Sequence, residues 1–452
     1  MFFNHIIIDL FFILNLFKNS FLKTLFIFEH SRHGHRTNSD LDNNNLDIFK
    51  EKWNGDSELT NIGLKQHYLL GNYIRNKYNN LINYTSYNPN EIFILSTTTN
   101  RTILSARAQT NGIFKLTEKK MFYNQIQKEK KNIPYYLKEQ INFENELKDI
   151  ILPEEIPIHL INQNDYLIRL EKNNKCNKIK NLQKNNINKN IIQDYIKKFN
   201  QTFGKQLLDY FNIINESNYF FDYKNIAKFS TQFIINYLEN RNITPKLIKY
   251  KIDINNLLNF SKIFLNLKST EYKVNDINNE IGLVSSSLLM RYILNFMENI
   301  IKNIENSPKL VILTGHDSTV AQNLDLLRIL FNSKLYYINF SSALIFELEQ
   351  NDENNEYYVN INFNNEKLLK IKYENFKEII INKTWNFKKI GLYCGFIKDY
   401  KKQNKFLIFF IGILNIFITI IITFNIREKR KKYSILNKFD NKYINLIEDN
   451  NI

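Results

Sequence analysis

The stretch Leu25-Phe26-Ile27-Phe28-Glu29-His30-Ser31-Arg32-His33-Gly34-His35-Arg36 is an apolar, aromatic run that ends in two arginines bracketing two histidines and a glycine. An apolar run of this length closed by Gly reads as a buried strand feeding a tight loop. At the carboxyl end of such a strand, side chains converge on the crevice where open α/β sheets bind their ligands. Arg32 directly before His33 and Arg36 shortly after it make a site for an anion beside an imidazole. Guanidinium forks match phosphate oxygens in pairs, and a neutral imidazole is a competent nucleophile near neutral pH. On this window alone, the alternative is a basic loop that happens to contain histidine.

Outward from it, Thr37 to Lys52 is a loop rich in Asn and Asp. Leu59 to Tyr78 reads as a helix capped by Thr60, with Leu64, Tyr68 and Leu69 on one face. A second strand, Glu91 to Ser96, runs into Thr97-Thr98-Thr99-Asn100-Arg101-Thr102, and a helix beginning near Thr102 carries Leu104 and Ala108. From about 111 to 283 the patterns are mainly helical, as in Ile191 to Phe203 and Lys224 to Glu239. The Asn/Lys-rich run Lys172 to Asn190 reads as a solvated low-complexity loop around Cys176. The core resumes with a helix, Ser287 to Asn303, and a third strand, Lys309 to Gly315, which ends in His316-Asp317-Ser318-Thr319. Ser342 to Glu349 and Tyr357 to Phe363 alternate like sheet-edge strands.

With 452 residues, 44% of them hydrophobic, the chain can bury a large core in one or two domains. Its net charge of +16 comes from Lys scattered among Asn and Ile, with no motif that reads DNA or RNA, so no nucleic-acid partner is expected. Residues 1–20 hold an apolar block, Ile6 to Phe17, that resembles a secretory signal, although Asp9 and the absent basic amino end are poor features of one. The body spans 21–396 and a linker 397–405. Residues 406–426 are apolar apart from Asn415, Thr419, Thr423 and Asn425, matching the roughly 20 residues of a bilayer helix. Arg427, Lys429, Arg430, Lys431 and Lys432 follow, which places a tail of 427–452 in the cytosol and the body outside it. Lys401, Lys402 and Lys405 weaken that bias without reversing it. The alternatives are an uncleaved amino-terminal anchor and a buried core helix.

Three strand ends thus carry Arg32, His33 and Arg36, then Arg101, then His316 and Asp317. That set resembles the histidine acid phosphatases of the histidine phosphatase superfamily. The matching motifs are Arg32-His33-Gly34-His35-Arg36, Leu59 to Tyr78, Ser96 to Ala106, and His316-Asp317-Ser318-Thr319, within about Leu22 to Cys394. The resemblance implies an α/β fold, an open mixed sheet flanked by helices of the phosphoglycerate mutase type, with a smaller, mainly helical inserted subdomain, ahead of the one carboxyl-terminal transmembrane helix read from 406–426. It implies a two-step hydrolysis of phosphate monoesters without cofactor or metal. His33 would be the nucleophile and Asp317 the acid and then the base; Arg32, Arg36, Arg101 and His316 would hold the phosphate oxygens. Asp317 must be protonated to act, and bound phosphate raises a carboxyl pKa, so an acidic optimum is expected. Arg75 matches an arginine that lines the pocket mouth in relatives, or is a solvated helix charge. His35, at the variable position of its motif, touches substrate or is solvated. His67 is read as a core residue rather than a catalytic one.

The chain departs from the family pattern at Asn38, where relatives usually carry Pro, and at Thr98, where an Asp is common. The resemblance also implies a Cys176–Cys394 disulfide, suited to an oxidising lumen. Asn83, Asn200, Asn215, Asn242, Asn259, Asn339 and Asn382 head glycosylation sequons; a glycan on Asn100 would obstruct the pocket. Tyr433-Ser434-Ile435-Leu436 and Tyr443-Ile444-Asn445-Leu446 resemble sorting signals of a lysosome-like route. The partners expected are a small phosphomonoester, the membrane, a sorting adaptor at Tyr433 and a second copy of the chain, and the location is that of a single-pass type I membrane protein with a lumenal or extracellular body. Alternatives that share the motifs are a phytase-like inositol phosphate hydrolase and a lysophosphatidic acid phosphatase. From a different class, the chain could be an inactive tethered binding protein.

Overall fold

The computed structural model describes residues 22–38, 55, 57–115, 156–161, 166–168, 170, 176–179, 181–182, 190–211, 221–239, 247, 249–269, 280–333, 337–397 and 420–431. It divides into two compact units, 1–390 and 391–452.

The apolar run of the opening motif forms β1 (Leu22–Arg32), buried on both faces from Phe26 onward. A strand covered on both faces needs no alternation, which is why its sequence is continuously apolar. Around it stand β2 (Ile92–Ser96), β3 (His159–Leu160), β4 (Leu310–Gly315), β5 (Ala343–Asn351), β6 (Tyr357–Phe363) and β7 (Glu366–Lys372), in the order β3-β2-β4-β1-β5-β6-β7. The first four run parallel; β5, β6 and β7 are antiparallel additions. The sheet is therefore mixed, as expected. The expectation of edge strands fails for both segments: β5 pairs with β1 and β6, and β6 pairs with β5 and β7. The outer strand there is β7, joined to β6 by Asn364 and Asn365, both at positive φ (49° and 68°) as a two-residue type I′ hairpin requires.

One face of the sheet is covered by α1 (Asn61–Lys77) and α2 (Asn100–Phe114). Thr60 caps α1 as expected, its side chain accepting from the Gly63 amide at 3.2 Å. The apolar face expected for α1 is not its buried one. Gly63, His67, Gly71 and Ile74 face inward, while Leu64, Tyr68 and Leu69 line an outer groove with Leu104 and Ala108. The reason is close helix contact: a Cβ on Gly71 would lie 2.1 Å from the Gln109 carbonyl, and one on Gly112 2.1 Å from that of Tyr68. Two glycines let the backbones touch, so leucine is excluded from the seam. The opposite face packs α7 (Glu280–Ile301), α8 (Asp317–Phe331) and α9 (Tyr373–Lys383) over Phe26, Phe28, Leu313 and Phe346.

Between α2 and α7 the described elements, β3 apart, are helical: α3 (Asn190–Phe199), a π-turn Asn200–Gly204, α4 (Lys205–Phe211), α5 (Tyr223–Leu238) and α6 (Ile254–Ser269). They enclose their own aromatic core of Phe199, Phe203, Phe221, Phe229, Phe233 and Phe264. Asn200, read as a sequon, spends its amide here: Nδ2 donates to the Ile196 and Phe221 carbonyls and Oδ1 accepts from the Phe221 amide. Cys176 is fully buried rather than part of a solvated loop, and both Cys176 and Cys394 are disulfide-bonded. Within the second unit residues 420–431 form an exposed helix. Among the described residues no helix is long and apolar enough to cross a membrane. Residues 1–20, 406–419, Tyr433 and Tyr443, with the sequons at Asn215 and Asn242, lie outside the described residues.

Candidate active site

The three parallel strands β1, β4 and β2 stop level with one another, Arg32 opposite Gly315 and Ser96 opposite Thr314. Their carboxyl ends deliver the three segments to one crevice. Arg32 Nη2 lies 3.3 Å from Asp317 Oδ2, the His33 and His316 rings stand 5.6 Å apart, and His316 Nε2 meets Thr97 Oγ1 at 3.0 Å. Residues separated by more than two hundred positions thus share one wall.

His33 is 3% exposed. Its Nδ1 sits 2.8 Å from the Gly34 carbonyl, which can only accept, so Nδ1 carries the proton and Nε2 keeps its lone pair. Burial, then the Arg32 and Arg101 guanidiniums and His316, hold this imidazole well below the ordinary histidine range. It is neutral and nucleophilic even in acid. Its loop is pressed against α1: a Cβ on Gly34 would fall 2.4 Å from the Gly63 carbonyl oxygen, so only glycine fits. The Gly34 amide donates to Ser105 Oγ at 3.1 Å, and Ser105 in turn donates to the Arg101 carbonyl at 2.7 Å, tying the loop to the first turn of α2.

Arg101 is the second residue of α2, which begins at Asn100 rather than near Thr102. Arg32 donates to the Ile338 carbonyl at 2.8 Å and lies 4.0 Å over the Phe340 ring. Arg36 donates to the Thr37 carbonyl (2.7 Å) and to Ser57 Oγ (3.3 Å). His316 caps α8, its backbone amide donating to Thr319 Oγ1 at 3.0 Å. Asp317 opens the helix with its side chain 51% exposed, so it can exchange a proton with solvent. Thr319 also accepts from His30, whose Nε2 is 3.1 Å away and whose Nδ1 receives the Asn323 amide at 2.7 Å. Burial drives the His30 pKa down to about 3, so it serves as a neutral bridge from β1 to that cap.

The structure does not bring every expected residue to the crevice. Arg75 lies 14 residues along α1 from its start, roughly 20 Å by helical rise. It donates to the Ile113 carbonyl at 2.8 Å and stands 5.7 Å from the Tyr84 ring centre, clamping the far end of the helix pair rather than lining a pocket mouth. His35 is 0% exposed. Its Nε2 meets the Ile235 carbonyl at 2.9 Å, and Nδ1 lies 2.8 Å from Thr60 Oγ1 and 3.4 Å from Glu239, which joins the loop to α5 of the insert. Burial lowers its pKa, against the opposing pull of Ile235 and Glu239. His67 is a core residue, as expected.

Sequence reasoning missed Tyr337 and Phe340. Phe340 stands 5.9 Å from the His33 ring and 5.2 Å from that of His35. Tyr337 is half-buried beside Arg32 and Asp317; desolvation raises its phenol and Arg32 opposes the rise. The only local signal was three aromatics, Tyr336, Tyr337 and Phe340, in the short segment before β5.

The model of the histidine phosphatase superfamily (branch 2) matches residues 10–364. Lysosomal acid phosphatase of Xenopus laevis is 40% identical over 85 residues, 18% of this chain and 19% of that protein. Human prostatic acid phosphatase is also 40% identical over 85 residues, 18% of this chain and 21% of that protein. The matched stretch thus spans about a fifth of these relatives' length. Among solved structures, the phytase from Citrobacter braakii superposes with a TM-score of 0.56 at 13% identity, covering 80% of this chain and 98% of the other. Hafnia alvei phytase gives 0.53 at 10% identity, covering 80% and 97%. At such identities the likeness is one of fold.

Proposed function

Because the chain belongs to branch 2 of the histidine phosphatase superfamily, we propose that its crevice hydrolyses phosphate monoesters through a phosphohistidine on His33. The observation that carries this is the His33 tautomer, with Nδ1–H held by the Gly34 carbonyl and Nε2 unprotonated among arginines. Arg32, Arg36, Arg101 and His316 are the groups to hold the non-bridging oxygens, and fixed positive charge stabilises the charge of the transition state. Nε2 attacks phosphorus as the bond to the leaving oxygen breaks, and Asp317 gives that oxygen its proton. Water then attacks the phosphorus, Asp317 takes the proton back, and His33 departs with its lone pair restored. These steps draw on side chains of the chain itself. The test is hydrolysis of an aryl phosphate at acidic pH by the body 21–396, with a chelator present, against His33→Ala. Full loss in a folded His33→Ala is expected; an inactive parent body would refute the reading and favour a binding protein on this scaffold.

The same proposal places the body outside the cytosol, held by the apolar stretch 406–426 with its basic flank. Two disulfide-bonded cysteines fit an oxidising compartment. A cleaved signal at 1–20, glycans on exposed sequons such as Asn259 and Asn382, an adaptor at Tyr433, a second copy as partner and a lysosome-like destination belong to it. Protease protection of the body in sealed membranes, with a glycosidase-sensitive mass, tests it.

A further inference from the structure

β1 carries a carboxyl group that the chemistry above does not use. Glu29 is fully buried, between Ile312 of β4 and Ile345 of β5, four residues before His33. Gln109 Nε2 on α2 donates to Glu29 Oε2 at 3.0 Å. The Gln109 Oε1 is 3.2 Å from His67 Nδ1 on α1. His67 Nε2 is 3.0 Å from the Arg32 carbonyl, the oxygen of the very peptide that links Arg32 to His33. Three buried groups from three elements therefore form one line of hydrogen bonds that ends on the nucleophile's own peptide.

The proton count along this line has two solutions. A carbonyl only accepts, so the bond to Arg32 requires a proton on His67 Nε2. Burial drives the His67 pKa down to about 4, so the ring has no second proton at working pH and Nδ1 must accept. The Gln109 amide must then turn over from the placement above, with its N–H toward His67 and its carbonyl toward Glu29. Half a turn of the amide exchanges its oxygen and nitrogen between the same two positions. Glu29 can donate to that carbonyl only as a neutral acid. Once Glu29 ionises it must accept, the amide turns its N–H to Glu29, and its carbonyl demands Nδ1–H from His67. The proton leaves Nε2, whose lone pair then faces the Arg32 oxygen, and that bond is lost.

We propose that Glu29, Gln109 and His67 are positioning residues for the phosphoryl-transfer site, and that neutral Glu29 sets the direction of the hydrogen bonds that hold the Arg32–His33 peptide. The kinetic side of this rests on the phosphatase reading above. Burial pushes the Glu29 carboxyl up to about 7, with the Ser31 hydroxyl and the Gln109 amide pulling the other way. The nearest titratable group along the line is His67 of α1, one Gln109 amide away; α2 offers the uncharged Gln109, β4 and β5 offer isoleucine, and among the described residues no charged side chain is among the influences on it.

Glu29→Gln provides the test, because its amide donates to Gln109 at every pH. The substrate is a nitro-activated aryl phosphate, whose leaving group needs little protonation, so ionisation of Asp317 weighs little. In the parent enzyme kcat is expected to fall about tenfold from pH 5 to pH 8, one unit past a half-ionisation near 7; in Glu29→Gln that fall should vanish. An unchanged fall overturns the proposal. A second measurement needs neither activity nor the variant: ¹⁵N shifts of the His67 ring in the parent protein, assigned by their absence from His67→Gln. They are expected to show the Nε2–H tautomer at pH 5 and the Nδ1–H tautomer at pH 9. A tautomer constant across that range overturns the proposal. If the parent body hydrolyses nothing, the phosphatase reading fails and the ring shifts alone decide this one.

Discussion

Gly34→Ala is the substitution for which the structure gives a distance to reason from. A Cβ there would meet the Gly63 carbonyl oxygen at 2.4 Å, its Cα at 2.6 Å and its carbonyl carbon at 2.8 Å, all backbone. Ordinary contact begins near 3.4 Å, so loop and helix must part by about 1 Å, since close-packed backbone offers no softer response. The Gly34 carbonyl orients the His33 ring and the Gly34 amide is tied to Ser105, so the shift is passed to the nucleophile. A misplacement of about 1 Å at a reacting group costs on the order of 100-fold in rate, or about 2.7 kcal/mol of barrier. Overpacking of this kind also destabilises by about 1–3 kcal/mol. The assay is kcat on an aryl phosphate at pH 5, read beside urea unfolding so that loss of fold is not mistaken for loss of rate. A stably folded Gly34→Ala with kcat within about threefold of the parent would refute the claim that this contact aims His33, which rests on the usual sensitivity of rate to misplacement.

Three other outcomes follow from the geometry. Glu29 titrates near 7 in the folded chain against 4.5 ordinarily, so stability is full below the lower value and is lost as pH rises to the higher. The loss is about 3 kcal/mol at about 1.4 kcal/mol per unit, read from urea midpoints between pH 4 and 8, and a flat profile contradicts it. Arg75→Ala removes a charged donor from the Ile113 carbonyl; it should cost about 1–3 kcal/mol of stability with kcat/KM unchanged, whereas a selective loss in KM would return Arg75 to the pocket. Asp317→Asn should slow alkyl phosphates far more than nitro-activated aryl phosphates, because only a poor leaving group needs the proton; equal losses on both would remove Asp317 from that role.

What could be read in the sequence was what is local. The buried strand, its basic loop and the strand ends at Thr97 and His316 each announce themselves within a dozen residues, by an apolar run that stops at polar chemistry. The helical insert was equally legible from its periodicity. Glu29 and His30 were invisible because a polar residue in an apolar run means nothing until its partners are known, and those partners, Gln109 and Asn323, lie 80 and 293 residues away. Leu64 and Leu69 misled because two glycines, not leucines, make the α1–α2 seam. Two features were legible and overlooked. Fourteen residues of helix separate Arg75 from the crevice end of α1, and Asn364-Asn365 before an alternating Glu366 to Lys372 is a hairpin signal for β7.

The account stands on His33 carrying the phosphoryl group. Rapid quenching of the folded body with ³²P-labelled aryl phosphate at pH 5 should give an acid-labile, base-stable label on the peptide containing His33, absent from His33→Ala. Hydrolysis that leaves no such label, or a label that survives in His33→Ala, would contradict it.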